Sequence, residues 1–312
     1  GVLAGNLLVL DDWNRVKGSY QVQSAGDGLY FLEEINQGAF PPDHPPGIDA
    51  HPPLPRVSAD APSIRDTTKA DTISTIDVMV VYSDETATAA GSAIGAQIQA
   101  AVDSANTTYA NSGINARLRL VHYAPANYPH SGNFSTDLSR LTSTTDGYMD
   151  EVHALRDAYG ADMVSLWVEG GQYCGIGWVG PYASYAFTVV NRGCATGNLT
   201  FAHELGHNMG ALHDAYVDPG TSPYAYGHGH INLVARWRTV MSYNDQCAAT
   251  APGTSCARIP YFSNPSLTYG GAALGTAEAG TTPTANNARV HNNAAAAVAA
   301  FRPTVVGTPC TY

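Results

Sequence analysis

Lysine is nearly absent. The 312-residue chain holds two, Lys17 and Lys69, against thirteen arginines, and its formal charge is −11. With no basic run anywhere, the electrostatic footprint that nucleic acid or an anionic membrane surface requires is missing, and neither is expected as a partner. Long apolar runs are missing too: nothing approaches the roughly 20 residues of a membrane-spanning helix. The opening GVLAGNLLVL is apolar but short, lacks a basic leading segment and an initiator Met, and runs into Asp11 and Asp12. It does not read as a signal peptide, and any targeting sequence is expected to have been lost ahead of residue 1. Cysteine is scarce and late, with none before Cys174 and no CxxC pair, which excludes a four-cysteine metal cluster. Cys174, Cys194, Cys247 and Cys256 admit three pairings. The one with two short loops, Cys174–Cys194 and Cys247–Cys256, is the expected one, which implies an oxidising compartment and leaves Cys310 odd.

What is present is 44% hydrophobic residues, enough to fill the core of one large domain or two smaller ones. YQVQSAGDGLYFLEEI alternates as a strand does, with Gly26-Asp27-Gly28 as a turn, and predicts a β-hairpin. Eight prolines between Pro41 and Pro62 rule out helix or central strand there and predict an extended linker. TISTIDVMVVYSD reads as a buried strand, Glu85 to Asn111 as a helix, ARLRLVHYA as a half-exposed strand, DGYMDEVHALRDAYG as a helix closed by Gly160, and DMVSLWVE as another buried strand. This is αβ layering. NLTFAHELGHNMG predicts a helix with Asn198 or Thr200 near its cap and Gly210 at its end. Residues 211–282 are mostly turn-formers, and a last helix runs from Ala285 to Arg302, ahead of Pro303.

HELGHNMGALHD, His203 to Asp214, carries the chemistry. His203 and His207 stand four apart, so on a helix both imidazoles leave one face about a turn apart, as two ligands of one metal must. Glu204 sits beside the first, where its carboxylate can reach a water without being a ligand, as a general base would. Gly210 tolerates the sharp turn that brings His213 back. Three imidazoles with a fourth position open describe catalytic zinc rather than structural zinc. A solvated helix face explains HExxH alone but not the spaced Gly and third His.

The segment from His203 to Asp214 resembles the zinc signature of the metzincin metalloproteases, and TVMSY, Thr239 to Tyr243, resembles their Met-turn. The resemblance implies Met241 as an apolar floor beneath the metal and Tyr243 as a reversible fifth ligand that stabilises the oxyanion. Asp214 is similar to the reprolysin branch, whereas Tyr243 follows the astacin and serralysin pattern. With VMVVYSDE and RIPYFSNPSLTYGG, the chain is most similar to secreted bacterial reprolysin-like proteases, the peptidyl-Asp metalloendopeptidase family included, over roughly Thr72 to Pro303. The implied fold is α/β, a zincin-like catalytic domain with a mixed twisted sheet, an active-site helix and an irregular C-terminal subdomain. A small β propeptide remnant precedes it. The divisions expected are 1–40 for the end of a propeptide, 41–71 for the linker and 72–312 for the catalytic domain.

The expected protein is therefore a secreted, monomeric zinc endopeptidase acting on protein or peptide substrates, with Zn2+ as cofactor and Ca2+ as an additional candidate. Cleavage before Asp, which the resemblance implies, calls for a cation in the pocket, and Arg236, Arg238 and Arg258 flank the Met-turn. The chain's own propeptide segment is a further expected partner. In PPDHPP, Asp43 and His44 are the candidates to cap the open zinc position, because prolines hold that stretch extended. His228 and His230 of YGHGH read as a structural loop, and His122, His130, His153 and His291 as ordinary single histidines. The rival classes are a non-catalytic zincin-like binding module, a latent zymogen and an adhesion-type domain.

Overall fold

The computed structural model describes residues 4–10, 16–26, 29–42, 44, 72–277 and 283–305. Three strands come first: β1 (Gly5–Leu10), β2 (Val16–Gly26) and β3 (Leu29–Glu34), antiparallel in the order β1-β2-β3. The hairpin expected from its alternation is β2 with β3, Tyr20 facing Glu34; Asp27 and Gly28 of its turn lie outside the described residues. The apolar opening supplies the unexpected β1, because a run without alternation shows no period that separates a strand from other apolar segments. Most of the proline-rich stretch lies outside the described residues.

The main sheet begins with β4 (Ser74–Tyr82). Its period of two sends Ile76, Val78 and Val80 to one face and Met79 and Val81 to the other, all fully buried, so both faces need a covering layer. The expected single helix from Glu85 is two, α1 (Asp84–Ala90) and α2 (Ile94–Asn111), parted by a 3-10 turn where Gly91 takes φ +50°. There follow β5 (Ala116–Pro125), α3 (Phe134–Thr142), α4 (Glu151–Tyr159, closed by left-handed Gly160), β6 (Met163–Val168), β7 (Gly175–Gly177), β8 (Phe187–Asn191), α5 (Arg192–Ala195) and α6 (Thr200–Asn208). The sheet order is β5-β4-β6-β8-β7, parallel except for β7, which runs antiparallel to β8 at the edge.

Ile98 and Val102 of α2, Leu205 of α6 and Val298 near the chain's end cover the Ile76 face, while Phe134, Leu138 and Val152 cover the other. Beyond α6 come β9 (Ile231–Asn232), β10 (Trp237–Arg238), α7 (Asp245–Thr250), β11 (Ala257–Arg258), β12 (Asn264–Tyr269), β13 (Ala272–Leu274) and α8 (Asn287–Val298). Short elements among turns match the irregular C-terminal region expected. The architecture is mixed α/β. Both expected disulfides are formed: Cys174–Cys194 ties the approach to β7 to α5, and Cys247–Cys256 ties α7 to the approach to β11. Cys310 lies outside the described residues.

Candidate active site

Helix α6 carries His203, Glu204 and His207, all buried. Leu199 holds the cap position, between the Asn198 and Thr200 expected near it, at φ +57° with no side-chain hydrogen bond, and Asn198 donates to the Thr200 hydroxyl. Past the helix Gly210 adopts φ +96°, a conformation β-carbons resist, and its N–H bonds to the His207 carbonyl at 2.8 Å. The reversal brings His213 back over the helix. The Nε2 atoms of His203, His207 and His213 then lie 3.0–3.2 Å from one another.

The protons are placed by the backbone. His203 Nδ1 donates to the Val240 carbonyl at 2.8 Å and His207 Nδ1 to the Ala211 carbonyl at 2.9 Å, leaving both Nε2 lone pairs facing inward. Burial, reinforced by His207, the nearby Arg258 charge and His213, holds the His203 pKa well below its ordinary value. Lone pairs converging this closely repel unless a cation sits among them. Zinc–nitrogen bonds of about 2.0–2.1 Å put tetrahedral ligands roughly 3.4 Å apart, near the observed spacing, so these residues fit zinc. Ligand atoms of His203, Glu204 and His207 also lie within 4.8 Å of one another.

Glu204 is held against β7. A β-carbon on Gly175 would stand 2.5 Å from Glu204 Oε1 and 2.7 Å from its Cγ, so only glycine lets the edge strand approach the carboxylate so closely. Met241 is fully buried, and its sulfur lies 2.9 Å from where a Gly206 β-carbon would be, which seats it against the helix between His203 and His207. Tyr243 is buried with its ring 4.2 Å from that of His213. Asp214 accepts from the Tyr243 N–H at 2.8 Å and the Tyr216 N–H at 3.2 Å, and burial raises its pKa. It clips the Met-turn to the third histidine.

The three arginines separate. Arg238 is buried, donates to the carbonyls of Cys256 and Ser242, and lines a cavity of about 380 Å³ together with Tyr243, Tyr173 and Asp245. Arg258 lies behind it, donating to the Ser242 and Asn198 carbonyls, whereas half-buried Arg236 donates outward to the Thr254 hydroxyl. From the other end of the chain, His44 reaches the same place: it is buried, with its ring 5.2 Å from that of His213 and 5.9 Å from that of Tyr243. Asp43 lies outside the described residues. His228 is structural, donating from Nδ1 to the His213 carbonyl.

A three-histidine centre with an adjoining glutamate on a helix–Gly–turn matches what a family comparison finds. Residues 72–263 match the model of metallo-peptidase family M12, reprolysin type. The chain belongs to this metallo-peptidase family. Peptidyl-Asp metalloendopeptidases from two strains of Stenotrophomonas maltophilia are 40% identical over 91% of this chain and 66% of theirs, and 38% identical over 96% and 71%. One from Xanthomonas campestris is 38% identical over 91% and 65%. The chain thus spans about two thirds of these relatives' length. A solved chain described as part of a chaperone–substrate complex is 20% identical with a TM-score of 0.58, covering 91% of this chain and 38% of that one, a likeness of fold alone.

Within this M12 chain, sequence reasoning missed β7 and its contact with Glu204, since three residues reading Gly-Ile-Gly carry no strand period. It used Asp214 to sort the family branch without seeing the hydrogen bond to Tyr243. The Asp directly after the third histidine was a usable signal, because a buried carboxylate there needs donors nearby.

Proposed function

We propose that the chain is a zinc-dependent endopeptidase, with His203, His207 and His213 as the metal ligands and Glu204 as the general base. One observation carries the reading: three Nε2 atoms converge at 3.0–3.2 Å with the Glu204 carboxylate beside them. Bound there, zinc supplies a Lewis acid that polarises a carbonyl and acidifies water.

The side chains do the rest. Glu204, steadied by β7, takes the water proton and passes it to the departing amine, a transfer worth about 10²–10⁴-fold in rate. An extended peptide can pair with the outer edge of β7, whose inner edge is taken by β8. That places a scissile bond over the histidines. Tyr243, whose ring lies 4.2 Å from that of His213, is the residue proposed to donate to the developing oxyanion.

Cleavage before Asp is proposed on two grounds: the relatives are named peptidyl-Asp metalloendopeptidases, and Arg238 lines the cavity next to Tyr243 as a cation that an Asp side chain could meet. Secretion is proposed on the two disulfides, which suit an oxidising compartment. The groups of three His, Cys, Asp or Glu residues with ligand spacing found among the described residues fall at the histidines, so the metal proposed is zinc and calcium is left out of the reading. A binding module of this fold has no need of a base, and Glu204 is present.

Casein digestion with and without a zinc chelator, followed by zinc addition, tests the reading. Activity should vanish with chelation and return with zinc. Chelator-resistant cleavage, or none under any condition including after removal of residues 1–71, would overturn it.

A further inference from the structure

Resting on that zinc reading, we propose that His44 is a fourth ligand, delivered by the chain's own N-terminal segment into the position that water and substrate must use. The three zinc-site rings lie 4.6–5.2 Å apart, centroid to centroid. His44 stands 5.2 Å from His213, within that range, and 6.4 Å from His207, somewhat beyond it. One ligand atom each from His44, His207 and His213 falls within 4.8 Å of the others, and all three residues are buried. His44 lies 159 residues ahead of His203 in the sequence, so nothing local to the helix places it there.

The segment before it is fastened at successive points. The Gln37 side-chain amide pairs twice with the Arg258 backbone, accepting from its N–H at 2.6 Å and donating to its carbonyl at 2.9 Å. Ile35 and Phe40 pack on the Gly197 backbone. The Cys174 N–H, one residue ahead of β7, donates to the Pro42 carbonyl at 3.3 Å. Phe40, Pro41, Pro42 and His44 then line the same cavity as Arg238 and Tyr243. The prolines fix φ near −65°, so little freedom is lost in presenting His44.

With His44 bound the shell is closed, and a four-ligand zinc site leaves water nowhere to be activated. Imidazole is an ordinary zinc ligand. It is neutral, and its hold depends on tethering, which supplies a local concentration on the order of millimolar. Cutting the chain between about Ala50 and Asp71 makes the ligand dissociable, so the intact chain is the latent form.

X-ray absorption at the zinc edge of the intact chain tests this without reference to turnover. The expected shell is four nitrogens. His44→Ala should show three nitrogens and one oxygen and should raise peptide hydrolysis of the uncut chain at least tenfold, while Asp43→Ala keeps four nitrogens. Three nitrogens and an oxygen in the intact wild type would overturn the proposal and leave the zinc reading standing, as would a shell of four nitrogens that survives His44→Ala. A chain that binds no zinc at these histidines overturns both. The wild-type measurement stands alone if the variant fails to fold.

Discussion

Adding one methyl group to Gly175 should disable the site without touching a metal ligand. In Gly175→Ala the new β-carbon would lie 2.5 Å from Glu204 Oε1 and 2.8 Å from Cδ. Ordinary contact needs about 3.4 Å or more, so the carboxylate must retreat by roughly 0.9 Å. The backbone at Gly175 is a strand conformation that alanine accepts, and the atoms displaced, Cγ at 2.7 Å among them, all belong to the one flexible Glu204 side chain. Stability should therefore change by less than about 1 kcal/mol, with part of any cost offset by the lower entropy of the unfolded alanine chain. Activity is different. A displacement of about 1 Å in a reacting group costs on the order of 100-fold, or about 2.7 kcal/mol of barrier. The assay is hydrolysis of a quenched Asp-containing peptide by the chain cut after residue 50, with zinc per chain and Tm measured on the same sample. Retained zinc, unchanged Tm and a hundredfold loss are expected. Activity within about threefold of wild type would refute the claim that β7 positions the base.

Three other outcomes follow from the geometry. Asp214→Ala strands the Tyr243 and Tyr216 amides that the carboxylate now accepts from, which should cost about 1–3 kcal/mol; Asp214→Asn keeps one carbonyl acceptor and should recover most of the lost Tm, and equal losses in both would count against the hydrogen-bond explanation. His291 is buried beneath α6, and burial pushes its pKa down to about 4. The unfolded chain therefore takes up the proton first as pH falls from about 6.5, and stability present above that value is lost toward pH 4, by about 3 kcal/mol in all. Urea unfolding at pH 7 and pH 4.5 should show a smaller difference for His291→Gln than for wild type, and identical differences would remove His291 from the account. Peptide-library cleavage should favour Asp on the carboxyl-terminal side of the cut, and Arg238→Gln should weaken that preference; a wild-type preference for bulky apolar residues there would refute the pocket assignment.

What could be read beforehand was what is encoded locally. His203 and His207 are joined by one helical turn and His213 by one glycine reversal, so their meeting follows from spacing alone. β4 and β6 announced themselves as short apolar runs between turn signals. The pairing of the cysteines followed from short loops. Features that depend on distant partners were hidden: β1 needs β2, β7 needs both β8 and Glu204, and the break at Gly91 is a single residue in an otherwise helical pattern. Leu199 capping α6 in a left-handed conformation contradicts the residue preferences at caps, because the tertiary setting outweighs them. His44 is an intermediate case. Its prolines marked it as a candidate, but its arrival beside His213 is a tertiary fact.

The central claim is that three histidines hold zinc while Glu204 moves the proton, and one variant separates those roles. In Glu204→Gln, metal analysis together with peptide hydrolysis by the cut chain should give one zinc per chain, as in wild type, with the rate reduced at least about 100-fold. A rate near wild type would contradict the assignment of the base, and loss of the zinc would contradict the assignment of the ligands.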